Sequence, residues 1–580
     1  MRMANIAQLL TEHIDIWTAA DTEKKSGRGR ASGSAASVYG VKKLRELIID
    51  LAVRGKLVPQ DLNGASAEVL VKNAKDYFYS TFQYKHRELE RDKSILDPTD
   101  YQHQIPDKWR WTELQEICMF FNGKAHEMFV SPIGKYILVN SSFISNNGDK
   151  VKNVSECLFP LEKNDIAIVM SDVPLGKALV RCFIVDESEK YSLNQRIGCL
   201  KLPPFFNIRY IKAVIERNRY YLDYDDGQKQ TNLKKIQVLS CPIPLPPLEE
   251  QNRIVAKVDE LMALCDQLEQ QHSNAKEAHE ILVSQLLATL TQSQNATKFN
   301  ANWQRIYAHF DVLFTTEASI DSLKQTLLQL AVMGKLVPQD ANDEPASELL
   351  KRIQAEKAKL IAEGKLKKET PLAPIGEYEK PFEVPMNWEW ARLADLLAIV
   401  TDGDHQAPPK ADSGIPFLVI GNLNAGSISI ENCRFVPEQY FEKLDWIKKP
   451  LIDDLLYTVT GSYGIPIKVE SSQQFCVQRH VAILKSTKST PVNYLVYLLK
   501  SKYAFEYATE IATGIAQKTI PLTGLRMMTV PIPSELEQHR IVAKVDALMS
   551  LCDQLKTSIQ QANQQQQAIA NTLVAQAVAA

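Results

Sequence analysis

Net charge is nearly absent from this sequence: 67 lysines and arginines face 69 aspartates and glutamates over 580 residues, a formal balance of -2. That excludes a long-range positive field drawing nucleic acid to the whole chain, so any such contact rests on local basic loops or on partners. Long apolar runs are missing too. No window approaches the roughly 18 uninterrupted apolar residues of a membrane span, and Met1 to Ala20 carries Glu12, His13 and Asp15 where a signal peptide would be apolar. The expectation is a cytoplasmic protein with no membrane partner. The nine cysteines include no Cys-x-x-Cys pair, which argues against a zinc ribbon and fits reduced thiols better than a disulfide framework.

Catalytic signatures are scarce as well. There is no Gly-x-x-x-x-Gly-Lys-Ser/Thr loop, hence no visible means of ATP hydrolysis. Leu202-Pro203-Pro204-Phe205 is similar to the Asn-Pro-Pro-Tyr/Phe loop of adenine methyltransferases, but Leu stands where an Asn or Asp would bond the target amino group, and no Gly-rich cofactor loop lies nearby. His126-Glu127 lacks the second His of a zinc-protease helix. Asp402-Gly-Asp404-His405 has the residue types of a metal or hydrolytic site, yet polar residues clustered around a Gly more often make a turn. Gly461-Ser462-Tyr463-Gly464 does not fit a nucleophile elbow. No catalytic residue, cofactor ligand or metal ligand is assigned.

What the chain does have is repetition. Leu51-Ala-Val-Arg-Gly-Lys-Leu-Val-Pro-Gln-Asp61 returns as Leu330 to Asp340 with ten of eleven positions kept, and Arg253 to Leu268 returns as Arg540 to Leu555 with fourteen of sixteen kept. A self-similarity of about half the chain length means two large units rather than a solenoid. The offset is 279 residues at the first pair and again at Pro106-x-x-Trp109-x-Trp111 against Pro385-x-x-Trp388-x-Trp390; it reaches 287 at Arg253 and Arg540. Upstream, His13-Ile-Asp15-Ile16 echoes His309-Phe-Asp311-Val312, with 17 extra residues in the first copy where Lys24 to Ser37 has a linker's composition. Its Lys and Arg suit phosphate contact, though plain linker is the simpler reading.

The shared segments read as helix. Ile254, Val258, Leu261, Cys265 and Leu268 step by four and three, and the second copy continues through Ile541, Val545, Leu548, Cys552, Leu555, Ile559 and Ala562 to Ile569 and Leu573. A closing helix of about 40 residues would be about 60 Å long. Leu44, Leu47 and Leu51, and Ile320, Leu323, Leu327 and Leu330, mark shorter leading helices that stop at a Gly followed by Val-Pro. Joining the C-terminus to the N-terminus would recreate the middle of the chain, so a circular, pseudo-twofold arrangement is expected. The divisions follow: an arm and linker at 1–38, helical frame at 39–105, a variable domain at 106–245, central frame helices at 246–384, a second variable domain at 385–532 and a closing helix at 533–580.

Both variable regions carry strand-like runs: Tyr136 to Val139, Ile166 to Met170 and Ala178 to Val185, then Phe417 to Ile420, Leu455 to Val459 and His480 to Leu484. Each reads as a compact α/β domain, and the pairs Asn164-Asp165-Ile166/Asp453-Asp454-Leu455 and Gln195-Arg196/Gln478-Arg479 suggest one shared fold. The Gln-Arg repeat, in matching places, is expected to be structural, because domains reading different sequences should differ where they read. Polar residues suited to base edges sit in turn contexts: Lys177, Gln228, Lys229 and Gln230 in the first domain, and His405, Gln406, Ser462, Tyr463, Gln517, Lys518 and Thr519 in the second.

Two variable domains on a duplicated helical frame, with Pro244-Leu-Pro-Pro-Leu-Glu-Glu-Gln-x-Arg-Ile-Val255 returning as Pro531-Ile-Pro-Ser-Glu-Leu-Glu-Gln-His-Arg-Ile-Val542, resemble the DNA specificity subunit of type I restriction-modification systems over nearly the whole chain. The resemblance implies an α+β protein: two α/β target recognition domains separated by long antiparallel coiled-coil helices. Each domain would read half of a bipartite double-stranded DNA target while the helices set the spacer. It further implies two methyltransferase (modification) subunits that hold S-adenosylmethionine and methylate adenine at N6, restriction subunits joined through them, and ATP and Mg in those partners rather than in this non-catalytic chain. Two other readings stand beside it: a coiled-coil adaptor with two protein-binding domains, and a hydrolase using the Asp404-His405 region.

Overall fold

The computed structural model describes residues 13–19, 38–61, 64–82, 103–173, 178–224, 229–294, 296–405, 408–423, 426–515 and 517–579. The expected linker at 24–37, with most of the arm, lies outside them. The chain divides into two compact units, one drawing on the sequence up to Ala275 and on the stretch from Ala562, the other running from Lys276 to Gln561. The expected circular arrangement is present in the first unit's composition: the end of the C-terminal helix belongs with it. Among the described residues no helix is long and apolar enough to cross a membrane.

In the first unit, His13 O accepts from the amides of Ile16 and Trp17 to start a short helix, Ile14–Ala19, and Trp17 is wholly buried. In the second, His309 O accepts from Val312 and Leu313 at the start of Phe310–Leu313. The leading helices follow, Tyr39–Val53 and Glu317–Val332. Each stops short of a glycine in the left-handed region, Gly55 at φ 68° and Gly334 at φ 67°, a conformation that penalises residues with a Cβ. A Cβ at either would lie 2.5 Å from the ring of Pro106 or Pro385, so the two repeated sequence markers are in contact in each copy.

The closing helices are Leu248–Thr291 and Glu535–Ala579, 44 and 45 residues. In the first unit, Ile254, Leu261 and Cys265 from the start of one share a core with Ala570 and Ala577 from the end of the other. The leading helix sits with both: Arg45 bonds Asp266 and Glu269, and Lys56 Nζ bonds Val578 O. In the second unit Lys324 pairs with Asp553 and Lys335 Nζ bonds Thr291 O, the same contacts displaced by one repeat. The expected seam needs one correction. Ala562 and Ile569 are exposed, while the expected Leu573 packs half-buried against the core beside the buried Ala570 and Ala577; Ile569 gives way to Ala570 past the point where the helix passes from one unit to the other.

The two variable domains share three sheets. In the first, Arg110–Glu113 pairs with Pro242–Leu245, a four-stranded antiparallel sheet runs in the order Met119–Asn122, Ile197–Lys201, Ile166–Val169, Cys182–Ile184, and Tyr136–Val139 lies between Asn153–Val154 and Tyr191–Leu193. The second repeats this with Glu389–Arg392 and Thr529–Ile532, then Ile399–Asp402, Val481–Lys485, Leu455–Thr458 and Pro466–Lys468, then Ile415–Leu418 between Arg434–Val436 and Cys476–Val477. Two expected strands are shorter than their apolar runs. Ala178 to Val185 begins with a turn in which Val180 has φ 55°, and Phe417 to Ile420 breaks after Leu418 into a single turn of tight helix.

One junction fastens domain to frame. The buried Glu250 at the start of the first closing helix accepts on Oε1 from both Trp109 Nε1 at 3.0 Å and Gln60 Nε2 at 2.7 Å. Glu537 divides the same task, taking Gln339 on Oε1 at 2.6 Å and Trp388 on Oε2 at 2.9 Å. Burial pushes both carboxyls above their ordinary range, partly offset by these bonds. Their ionisation as pH rises through the ordinary carboxylate range therefore costs stability, and an amide removes that cost. Glu250→Gln keeps the one oxygen that accepts both bonds, so its unfolding free energy should be unchanged or higher. Glu537→Gln turns an N–H toward a donor, leaves one buried donor unmet, and should lose about 1–3 kcal/mol. Equal denaturant midpoints for the two variants would contradict this account.

Candidate nucleic-acid interface

Strand polarity decides which loops meet. In the first domain the antiparallel ladder puts the exits of Met119–Asn122 and Ile166–Val169 at one end with the entries of Ile197–Lys201 and Cys182–Ile184. The same end of the second domain gathers the exits of Ile399–Asp402 and Leu455–Thr458 with the entries of Val481–Lys485 and Pro466–Lys468. Nearly every polar turn singled out in the sequence falls here.

A further segment joins this end in both domains. Ser171 and Asp172 pair with Asn232 and Thr231, and Gln230 Nε2 bonds Ser171 Oγ at 2.9 Å. In the second domain Thr460 bridges Thr519, Gly461 N bonds Lys518 O at 3.0 Å, and Thr519 Oγ1 bonds Thr460 Oγ1 at 3.2 Å. Gln517, Lys518, Thr519 and Ser462 are thus brought together, the first two and Ser462 exposed. Gln230 and Gln517 take equivalent places. Lys229 is exposed beside Gln230. Tyr463 is instead committed to packing, stacked on Phe505 at 5.9 Å between ring centroids with its hydroxyl 3.3 Å from Thr509 Oγ1. Lys177, Gln228 and Gln406 lie outside the described residues.

The Asp-Gly-Asp-His turn is a second part of this end. Asp404 bridges Gln478 in the backbone, its carboxylate accepts from Tyr440 OH at 2.6 Å and faces Lys448 at 3.6 Å, and Asp402 lies 2.9 Å from His405 Nε2. The carboxylates are engaged in holding the turn. Gly403 permits it: a Cβ there would lie 1.9 Å from Val477 O, and one at the matching Gly123 would lie 2.1 Å from Asn194 O. His126 is a buried structural residue, its Nδ1 2.7 Å from Lys124 O and its Nε2 2.7 Å from Ser192 Oγ.

The Gln-Arg repeat is not in matching places. Leu193 and Val477 pair equivalently with Val139 and Leu418, and Ile197 and Val481 open equivalent strands. The turns between them are Asn194-Gln195-Arg196 and Gln478-Arg479-His480, so Gln195 stands opposite Arg479 and the sequence echo is displaced by one residue. Composition gave no signal for this, because only pairing fixes the register.

The opposite end of the sheet faces the frame and is tied down by charge. Asn164 and Asp453 adopt left-handed φ of 74° and 67°, and the next residue in each domain is an acid paired across strands. Asp165 meets Lys201 at 3.1 Å; Asp454, 3% exposed, meets Lys485, 1% exposed, at 2.5 Å and also accepts from the Leu451 and Ser486 amides. Burial lowers the Lys485 pKa. The Leu202 to Phe205 loop also leaves from this end, where Phe205 packs edge-on to Tyr77.

A family model described as the type I restriction modification DNA specificity domain matches the chain at residues 106–277 and 385–564. The chain is 33% identical to the type I restriction enzyme EcoAI specificity subunit of Escherichia coli, with 99% of this chain and 100% of that one covered. It is 34% identical to the EcoEI specificity subunit of the same species, with 98% and 99% covered. Among solved structures, the HsdS subunit from Thermoanaerobacter tengcongensis is 17% identical at a TM-score of 0.36, covering 83% of this chain and 99% of that one.

The glycine at the strand exit yields a direct test. Gly403→Ala forces two backbones apart and should destabilise the second unit by about 1–3 kcal/mol, whereas Gly421→Ala, whose Cβ would meet nothing nearer than 4.0 Å, should be neutral. Thermal unfolding of both variants checks this, and equal melting temperatures would refute it.

Proposed function

The chain belongs to the family of type I restriction-modification DNA specificity subunits, and from that membership we propose that its two variable domains each read one half of a bipartite DNA target while the frame helices fix the spacer and dock two methyltransferase subunits. The observation that carries this reading is the pair of loop ends: one backbone plan, used twice, bearing different exposed side chains. Loops on a rigid scaffold are where recognition varies at least cost to the fold, and base-edge contacts rather than backbone ones give sequence preference. Helices of 44 and 45 residues, about 66 Å at 1.5 Å per residue, have the length and stiffness a spacer-setting element needs.

Docking of two like partners is supported by apolar residues left exposed at equivalent places of the two closing helices. Leu264 and Leu551 are 43% and 54% exposed, and Leu282 and Ile569 are 48% and 46% exposed. A single exposed leucine on a helix needs no explanation. The same exposure kept in both copies, on a face that could carry polar residues, fits a surface covered by a partner. On this reading the partners hold S-adenosylmethionine and perform the methylation, ATP and Mg serve the restriction subunits, and this chain contributes recognition and no catalytic group.

Two outcomes are expected. Mapping N6-methyladenine in a host that expresses this chain with its methyltransferase should give a split motif that vanishes when only this chain is deleted; methylation indifferent to the deletion would favour the adaptor reading. Replacing Leu264 and Leu551 together by Asp should weaken co-purification of the methyltransferase by about 1–2 kcal/mol per site with thermal unfolding unchanged. Full retention of the partner would remove this surface from the proposal.

A further inference from the structure

We propose that the turn entering the inner strand of each variable sheet is a base-reading element, in which Gln195 of the first domain and Arg479 of the second hold one equivalent position and select different bases. This deepens the recognition reading above and rests on it.

The turn is held as a rigid platform. Asn194 N bonds Val139 O at 3.1 Å and Gln478 N bonds Leu418 O at 2.9 Å, while Lys124 and Asp404 bridge the same two turn residues from the neighbouring strand exit. The glycines at those exits, Gly123 and Gly403, let the backbones approach more closely than any Cβ would allow. Out of this fixed backbone Gln195 and Arg479 project into solvent. A reader must be fixed at its base and exposed at its tip, and both conditions are met here.

The side chains are also set so that their pairing edges remain available. Gln195 Nε2 donates to Glu127 Oε1 at 3.2 Å; an amide nitrogen carries two hydrogens, so one N–H and the carbonyl oxygen are left, which is what adenine N7 and N6 require. Arg479 Nε donates to His480 Nε2 at 3.4 Å, which leaves the guanidinium's terminal fork for guanine O6 and N7. Burial and the neighbouring Arg479 lower the His480 pKa, which favours the neutral imidazole that can accept. In each domain a neighbour holds one side-chain nitrogen, the terminal amide of Gln195 or the Nε of Arg479, on an exposed residue. The equivalent position therefore suits adenine in one half-site and guanine in the other. Gln230 and Gln517, by contrast, are the same residue in both domains and do not distinguish two targets.

The test maps the methylation motif of the chain co-expressed with its methyltransferase, carrying Gln195→Arg, Arg479→Gln, Gln195→Ala or Arg479→Ala. Gln195→Arg should exchange adenine for guanine at one position of one half-site, with a preference changed roughly 5- to 150-fold and the other half-site intact. Arg479→Gln should do the reverse in the other half-site, and each Ala variant should relax the same position as its partner substitution. Unaltered preferences in all four variants overturn the proposal while leaving DNA reading by these domains in place. Uniform loss of methylation at every sequence, with the complex still assembled, makes the turn a backbone contact and also overturns it. Absence of any methylation dependent on the unaltered chain sinks the recognition reading itself.

Discussion

A buried carboxylate at the first turn of each closing helix is the constraint on which the rest depends. A charge withdrawn from water must be met by donors or it costs several kcal/mol, and Glu250 and Glu537 are met by an indole N–H from the residue just before the strand that enters the variable domain and an amide N–H from the segment that leaves the leading helix. One residue thus fixes three stretches that are far apart in sequence. The neighbouring glutamine completes the joint: Gln251 and Gln538 each bond the carbonyl of the proline five residues earlier at 2.9 Å. Tyr210 and Tyr494, from the helix that follows the inner strand, bond the carbonyls of Pro244 and Pro531 in the strand leading to the same point. The repeated segments around Gly55 and Gly334, Trp109 and Trp388, and Glu250 and Glu537 come together at or beside this joint.

Because the frame end of each sheet is fixed by the joint and by the Asp165–Lys201 and Asp454–Lys485 pairs, the other end is free to vary. Antiparallel pairing sends two exits and two entries there, so loops of different length and charge can be exchanged without disturbing the ladder. The ladder also tolerates an insertion on the way to its frame end in the second domain. Between its equivalent strands it inserts a short helix, Glu438–Lys443, and a further turn, Trp446–Lys448, yet the four-stranded order and register are kept.

Legibility in the sequence followed the same division. The frame was legible because its contacts constrain both copies alike: Gly55, Pro106, Trp109 and Glu250 recur as Gly334, Pro385, Trp388 and Glu537 since each touches another of the set. The inner strand Ile197–Lys201 was hidden. It contains Gly198, a poor strand former, where a Cβ would come within 2.4 Å of the Phe120 ring across the ladder. The variable loops show residue types but no positions in the sequence, and the Gln-Arg echo is displaced because adjacency in sequence is not equivalence in space. The seam misses at Ala562 and Ile569, though not at Leu573, for a related reason: heptad counting assumes one partner, and the helix changes units at Ala562.

One place where the repeated frame departs from itself shows the same helix start reached by two different pairs of residues. The first closing helix is preceded by Pro247, whose fixed φ suits a helix start and whose missing N–H costs nothing there. The second has Ser534 instead, whose Oγ accepts from Glu537 N at 3.1 Å as a cap would. That hydroxyl in turn donates to Asp343 at 3.0 Å, and Asp343, held below the ordinary carboxylate range by Arg540, ion-pairs with it at 2.5 Å. In the first copy the position of Asp343 is Gly64 and Arg253 bonds the Pro59 carbonyl at 3.2 Å. Proline with glycine, or serine with aspartate, are two self-consistent ways to begin the same helix. A single exchange between them would leave either the Ser534 hydroxyl without its acceptor or Asp343 held by Arg540 and no longer by the hydroxyl, so the two positions are coupled through the helix start they share.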